Sequence, residues 1–239
     1  MSGSDDRPRR PSASDADDTR PAPAVSNRYG IPYLRDPTGL DGVCAVRDVD
    51  LNTIESFGRV ARAYDSPSQT GVLQRPFLFG LVTARRPRRI LELGFRYGAT
   101  SLVMLCALED VGGEGKLVAL DPAPEPMLDF SRFGERFSLY QGSSPRDVVG
   151  AARELGGPVK LCHIDADHRV EAVSADLEAV RPHMAPESYV LLYDGCWPDV
   201  ARAIRAFVKR HARDVVDCGL IDPFANDEGW SRMHRLRCL

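Results

Sequence analysis

The stretch Glu92-Leu93-Gly94-Phe95-Arg96-Tyr97-Gly98-Ala99-Thr100 decides how this chain is read. It follows the apolar run RILEL and opens into SLVMLCALED, whose apolar residues recur at helical spacing, so it turns a buried strand into a helix. In an open α/β sheet, ligands bind at the carboxyl ends of the strands, and glycines there let the backbone approach the ligand; Gly94 and Gly98 suit that role. The spacing is neither G-x-G-x-x-G nor G-x-x-x-x-G-K-[ST], which disfavours nicotinamide dinucleotides and nucleoside triphosphates. Glu92, two residues before the first glycine, is badly placed for a pyrophosphate and suited to a cationic ligand.

Working outward, the residues before this turn give a second helical stretch, Val72 to Ala84, with Leu73, Phe77, Leu78, Leu81 and Val82 on one face and Pro87 as its stop. Further upstream, Leu51, Ile54, Phe57, Val60 and Ala61 mark a helix within Asp50–Tyr64. Residues 25–86 read as a helical cap or lid in which Tyr29, Tyr33 and Tyr64 help exclude water. Residues 1–24, almost wholly Ser, Asp, Arg, Pro, Ala and Thr, read as a disordered tail.

Downstream, KLVALD, FSLYQG, VKLCHID and YVLLYD read as strands, VEAVSADLEAVRPHM and DVARAIRAFVKRHA as helices, and DVVDCGLI with MHRLRCL as two closing strands. Strands alternating with helices predict an α/β sheet with crossover connections over residues 87–239.

Composition narrows the function. The 239 residues hold 31 Lys plus Arg against 34 Asp plus Glu, a net charge of -3, so the basic field of a dedicated nucleic-acid binder is missing and a small or neutral partner is expected. No apolar run reaches the roughly 20 residues of a membrane span. The six cysteines, Cys44, Cys106, Cys162, Cys196, Cys218 and Cys238, form no C-x-x-C pair, and the opening MSGSDDRPRR is followed by no apolar segment. A cytoplasmic protein with reduced thiols is the expectation.

The second strand ends in Asp121, where a carboxylate can accept hydrogen bonds from both hydroxyls of a ribose; with Glu92 it suggests a ligand carrying a ribose and a positive charge. Gly142-Ser143-Ser144 follows the third strand and His163-Ile164-Asp165-Ala166-Asp167-His168 the fourth. This order of motifs, E-x-G-x-x-x-G-x-[ST] first, resembles a class I S-adenosylmethionine-dependent methyltransferase, in particular the catechol O-methyltransferase-like enzymes and the bacterial group of cephalosporin hydroxylase-like and macrolide-sugar O-methyltransferases. The resemblance covers Ser66 to Leu239. It implies a Rossmann-like, seven-stranded, mostly parallel sheet with helices on both faces and an antiparallel C-terminal strand.

Carried over by position, the resemblance places Glu92 near the methionine portion of S-adenosylmethionine, with Gly94 and Gly98 in the loop beneath it. Thr100 would hold the carboxylate, Asp121 the ribose, Ser143 and Ser144 the adenine, and the backbone of Thr70-Gly71 the methionine end. In metal-dependent relatives the first acid of the fourth-strand motif binds magnesium, here Asp165, and the next strand end supplies further ligands, here Asp194. His168 falls where those relatives carry a catalytic Lys; an imidazole there suits proton removal at neutral pH.

The strand-end pair reads Asp194-Gly195, so a ligand is lost, and Asp167 is the candidate replacement. Each residue also has a plainer reading: Asp194 as a strand-end cap, His168 as part of a helix-start capping arrangement, His163 as a core histidine. Cys196 and Trp197 would rim the acceptor pocket, Trp197 stacking on a substrate ring or simply packing, and Phe224–Trp230 would form a second wall.

The function implied is O-methylation of a small-molecule hydroxyl, with or without Mg2+. The high Ala, Arg and Asp usage resembles proteins of high-GC bacteria, in which such enzymes decorate secondary metabolites. Three other readings stay open: metal-free N-methylation, an oxygenase using His163, Asp165 and His168 as an iron triad, and a non-enzymatic binding module. A homodimer through the N-terminal helices is the expected assembly.

Overall fold

The computed structural model describes residues 74–126, 129–220 and 233–239. The expected tail, most of the cap, the helix at Asp50–Tyr64, the Thr70-Gly71 segment, the three lid tyrosines, Cys44 and the Phe224–Trp230 loop lie outside the described residues.

Helix α1 (Gln74–Arg85) leads into β1 (Arg89–Leu93), α2 (Ala99–Val111) and β2 (Lys116–Asp121). After two 3-10 turns at Ser131–Arg136 come β3 (Phe137–Gln141), α3 (Val148–Glu154), β4 (Val159–Ile164) and α4 (Val170–Val180). The chain closes with β5 (Met184–Leu192), α5 (Pro198–Arg210), β6 (Val215–Leu220) and β7 (His234–Cys238). The seven strands form one sheet in the order β3-β2-β1-β4-β5-β7-β6. Every neighbouring pair from β3 to β5 is parallel, and β7 runs antiparallel to both β5 and β6. The Rossmann-like, mostly parallel sheet expected from the sequence is the one found.

Strand alternation divides the core into two layers. Ile90, Leu117, Ala119 and Leu161 face α1 and α2, while Leu91, Leu93, Val118, Leu120, Cys162 and Ile164 face α3, α4 and α5. A parallel sheet covered on both faces explains why its strands read as nearly continuous apolar runs. Residues 103–108 of α2 are all buried because α1 covers the side of α2 that the sheet leaves free.

Three local differences from the sequence reading have physical causes. The helix expected to continue to Met184 stops at Val180: a 3-10 turn over Arg181–His183 carries Pro182, which offers no N–H, and β5 already begins at Met184. Within β5, Glu187 at φ 57° accompanies a register shift against β4. Helix α3 has seven residues, too few for its periodicity to stand out, with Gly150 at its centre. A Cβ on Gly150 would sit 2.4 Å from the Tyr140 hydroxyl, so the glycine lets this helix lie against β3.

Candidate functional site

Strand β1 lies between β2 and β4, and the chain leaves it toward opposite sides of the sheet, which opens a crevice at the carboxyl ends of these strands. Backbone hydrogen bonds that prolong the ladders fix the floor: Gly94 N–H to Leu120 C=O (3.0 Å), Asp165 N–H to Leu93 C=O (2.8 Å) and Gly142 N–H to Asp121 C=O (3.0 Å). The cleft above them has a volume of about 570 Å³, within the range of small-molecule sites. Gly94, Arg96, Gly98, Thr100 and Asp121 line one side, and Ser143, Ser144, Asp165, Asp167 and His168 the other.

Two glycines make the turn. Gly94 has φ 91°, and a Cβ there would meet the Asp165 carbonyl oxygen at 1.9 Å. Gly98 has φ 87°, and its Cβ would lie 2.6 Å from the rings of Phe95 and Phe130. Gly98 is also the N-cap of α2 and brings no side-chain cap, so the first-turn N–H groups, together with Thr100, face the cleft as a site for a carboxylate.

Asp121, 9% exposed, is built into the turn. Its Oδ2 accepts the N–H groups of Phe95 and Arg96, both at 2.9 Å, and its Oδ1 accepts that of Ala123 at 2.8 Å. Of the four or so lone-pair sites of a carboxylate, one on Oδ1 is left for an outside donor such as a ribose hydroxyl.

Glu92 lies below the turn and does not line the cleft. It is 1% exposed, accepts a hydrogen bond from the Ser101 hydroxyl of α2, and approaches Nδ1 of His163, its cross-strand neighbour, at 3.6 Å. Burial pushes its carboxyl above the usual range, and His163 and Ser101 pull it back in part. Glu92 therefore ties the end of β1 to α2. His163, fully buried between Glu92 and Tyr193, is the core histidine of the plainer reading and is not a cleft ligand.

His168 does line the cleft. The N-cap of α4 is Arg169, so His168 does not cap the helix. Its Nε2 stands 3.6 Å from Asp165 Oδ1 and 3.5 Å from Asp194 Oδ2, and its ring packs 5.1 Å from Trp197, which is 40% exposed. Burial pushes the Asp165 carboxyl up, against the pull of His163, His168 and Arg96. Asp194 lies in the turn just after β5, in the left-handed region at φ 52°.

The donor set does not fit a magnesium ion. Position 195, where metal-dependent relatives place a second ligand, is closed to any side chain, since a Cβ there would lie 2.4 Å from Cβ of His234. Asp167 is engaged elsewhere: it accepts the Arg169 backbone N–H at 2.9 Å and pairs with the Arg169 guanidinium. Among the described residues no three His, Cys, Asp or Glu side chains form a metal-binding group, so Asp167 does not join Asp165 and Asp194 as a third ligand and His163, Asp165 and His168 do not form an iron triad.

The fold is similar to that of class I methyltransferases. Residues 91–195 match the family model of a methyltransferase domain. Solved structures with this fold include an O-methyltransferase from Bacillus cereus in complex with SAH, 16% identical over 79% of this chain and 90% of that one, with a TM-score of 0.55. The O-methyltransferase TomG from Streptomyces achromogenes, involved in tomaymycin synthesis and solved with SAM, is 16% identical over 77% of this chain and 90% of its own, TM-score 0.54. Cofactor-bound Rv0187 from MTB is 19% identical over 86% and 98%, TM-score 0.56. No curated protein matches the chain. The chain thus matches a methyltransferase domain over residues 91–195 and shares its fold with these structures. Among the described residues no helix is long and apolar enough to cross a membrane.

Proposed function

We propose that the protein is an O-methyltransferase acting on a small-molecule hydroxyl, with His168 as general base and no metal in the reaction. The observation that carries this reading is the imidazole held 3.5–3.6 Å from two carboxylates on the wall of the glycine-turn cleft. Bound in the cleft, S-adenosylmethionine supplies an electrophilic methyl group on a sulfonium sulfur. The α2 N-terminus and Thr100 receive its carboxylate, the free lone pair of Asp121 a ribose hydroxyl, and Ser143 and Ser144 flank its adenine. Gly94 and Gly98 keep the turn bare of side chains where the ligand must approach.

His168 takes the proton of the acceptor hydroxyl as its oxygen attacks, and Asp165 and Asp194 stabilise the imidazolium that forms. A hydroxyl is favoured over an amine because a half-buried base with two carboxylates beside it serves an acceptor that must lose its proton to become nucleophilic. Trp197 stands beside His168, half open to solvent, where it can stack on an aromatic acceptor. TomG, a neighbour in fold, acts in tomaymycin synthesis, which supports a secondary-metabolite acceptor. We retain three domain-level readings from the sequence: a tail at 1–24, a cap at 25–86 carrying Thr70-Gly71 toward the methionine end, and a homodimer.

Calorimetric titration with S-adenosylmethionine and S-adenosylhomocysteine, on wild type and Asp121→Ala, tests the cofactor. Micromolar binding that is lost in the variant is expected, and no binding to the wild type refutes the reading. Methyl transfer to a panel of phenols and glycosides, abolished by His168→Gln and indifferent to EDTA, tests the mechanism.

A further inference from the structure

The segment Ala84-Arg85-Arg86-Pro87-Arg88-Arg89 joins α1 to β1 and takes no part in the cleft described above. It lies at the amino ends of the parallel strands, the opposite edge of the sheet, roughly 16 Å along β1 from Gly94 at ~3.3 Å per residue. There it borders a second cavity of about 370 Å³, completed by Pro158 and Lys160 at the start of β4 and by Glu187 and Tyr189 of β5.

Five basic side chains line this cavity, Arg85, Arg86, Arg88, Arg89 and Lys160, against a single acid, Glu187. Glu187 is itself neutralised from the rim by Arg237 at 2.9 Å. None of the five makes an ion pair among the described residues, in a chain whose net charge is -3. Several are held in place around the cavity. The Arg89 Nε–H donates to the Leu155 carbonyl at 3.0 Å and its guanidinium lies against Gly157, where a Cβ would come within 2.7 Å of it. Lys160 Nζ donates to the Pro186 carbonyl at 2.8 Å, and Arg85 packs on the Tyr189 ring at 5.0 Å. Among the described residues these anchors leave further N–H donors on the anchored heads without a partner, and they hold like charges near one another without a counter-charge.

We propose that this cavity is a binding site for a small oligophosphate, a ligand with two or more linked phosphate groups. Guanidinium forks match phosphate oxygens in pairs, and five cations around one small concavity exceed what a single monovalent anion would balance. Tyr189 is 7% exposed and already covered by Arg85, so among the described residues lining the cavity no aromatic face is open to stack a nucleobase. Recognition is therefore directed at the phosphates. The site lies outside the methyl-transfer cleft and stands or falls separately from it.

The test is calorimetry on the full chain with inorganic pyrophosphate at constant ionic strength, with potassium sulfate as the matched control. Two variants accompany the wild type, Arg88→Gln and the double variant Arg88→Glu/Lys160→Glu, both at exposed side chains. Saturable pyrophosphate binding is expected, weakened several-fold by the first variant and at least tenfold by the second, while S-adenosylhomocysteine affinity stays that of the wild type. Heat no greater than with sulfate, or binding unchanged in both variants, overturns the proposal. A 20-nucleotide RNA that binds where pyrophosphate does not, and is lost in the same variants, also overturns it, since the face would then be a nucleic-acid surface.

Discussion

Asp121→Asn separates the two roles the structure gives this carboxylate, holding the glycine turn and receiving an outside donor. The wild-type group accepts three backbone N–H bonds, at 2.9, 2.9 and 2.8 Å. An amide has one oxygen. In its better orientation that oxygen keeps Phe95 and Arg96, and its NH2 then confronts the Ala123 N–H, donor against donor. One bond to a charged acceptor is lost, at about 1.5–3 kcal/mol, and the two survivors fall from charge-assisted to neutral strength, at about 1 kcal/mol each. The expected destabilisation is about 3–5 kcal/mol, which a domain with about 5–15 kcal/mol of stability survives.

Urea unfolding reads this loss as a lower midpoint at unchanged m-value. Calorimetry with S-adenosylhomocysteine reads the second role, where the disturbed turn and the altered Oδ1 position weaken binding by roughly 100-fold, equivalent to about 2.7 kcal/mol. A stability change under about 1 kcal/mol would refute the claim that Asp121 holds the turn. A large stability loss with unchanged affinity would refute its place in the ligand site.

Gly94→Ala forces a Cβ to within 1.9 Å of a backbone carbonyl at φ 91°, so the variant is expected to lose more than about 3 kcal/mol and to fail to bind S-adenosylhomocysteine, as read by thermal unfolding and calorimetry. Trp197→Ala, at the open rim beside His168, should raise the acceptor KM while leaving S-adenosylhomocysteine affinity within twofold, in steady-state assays with an aromatic acceptor. Asp176, 1% exposed behind Ser144, has its carboxyl raised by burial from 3.8 to about 6, with Ser144 offsetting part of the shift. The folded state thus holds this proton more tightly than the unfolded state. Its contribution is most favourable below pH 4, declines as pH rises to 6 and then levels, a span of about 3 kcal/mol at ~1.4 kcal/mol per unit. Asp176→Asn should accordingly stabilise the protein by about 1–3 kcal/mol at pH 7.5 and hardly at all at pH 4, as measured by urea unfolding at both values.

The strands were legible because a parallel sheet covered on both faces demands apolar residues at every position, and KLVALD and RILEL supply them without interruption. The cleft residues Gly94, Gly98, Thr100, Asp121, Ser143, Ser144, Asp165 and His168 were legible for a related reason: strand ends fix where a turn can present a ligand, so position in sequence translates into position in space. Glu92 resisted that translation. Its spacing from Gly94 says only that it lies near the turn, whereas strand parity turns its side chain toward α2 and His163, away from the cleft.

Asp167 and Gly195 show the same limit from the other side. A carboxylate two residues from Asp165 counts as a metal ligand only if nothing nearer claims it, and Arg169, two residues further on, does. A glycine after Asp194 reads as a lost ligand, but the structure supplies the reason: β7, far away in sequence, brings His234 against that position and excludes a side chain there. The closing strand thus removes a metal donor while His168 takes up the space between the two remaining carboxylates. Both changes favour a base that works without a metal. Enlarging residue 195 alone would therefore not restore a metal site, because His234 blocks it and the imidazole already stands between Asp165 and Asp194.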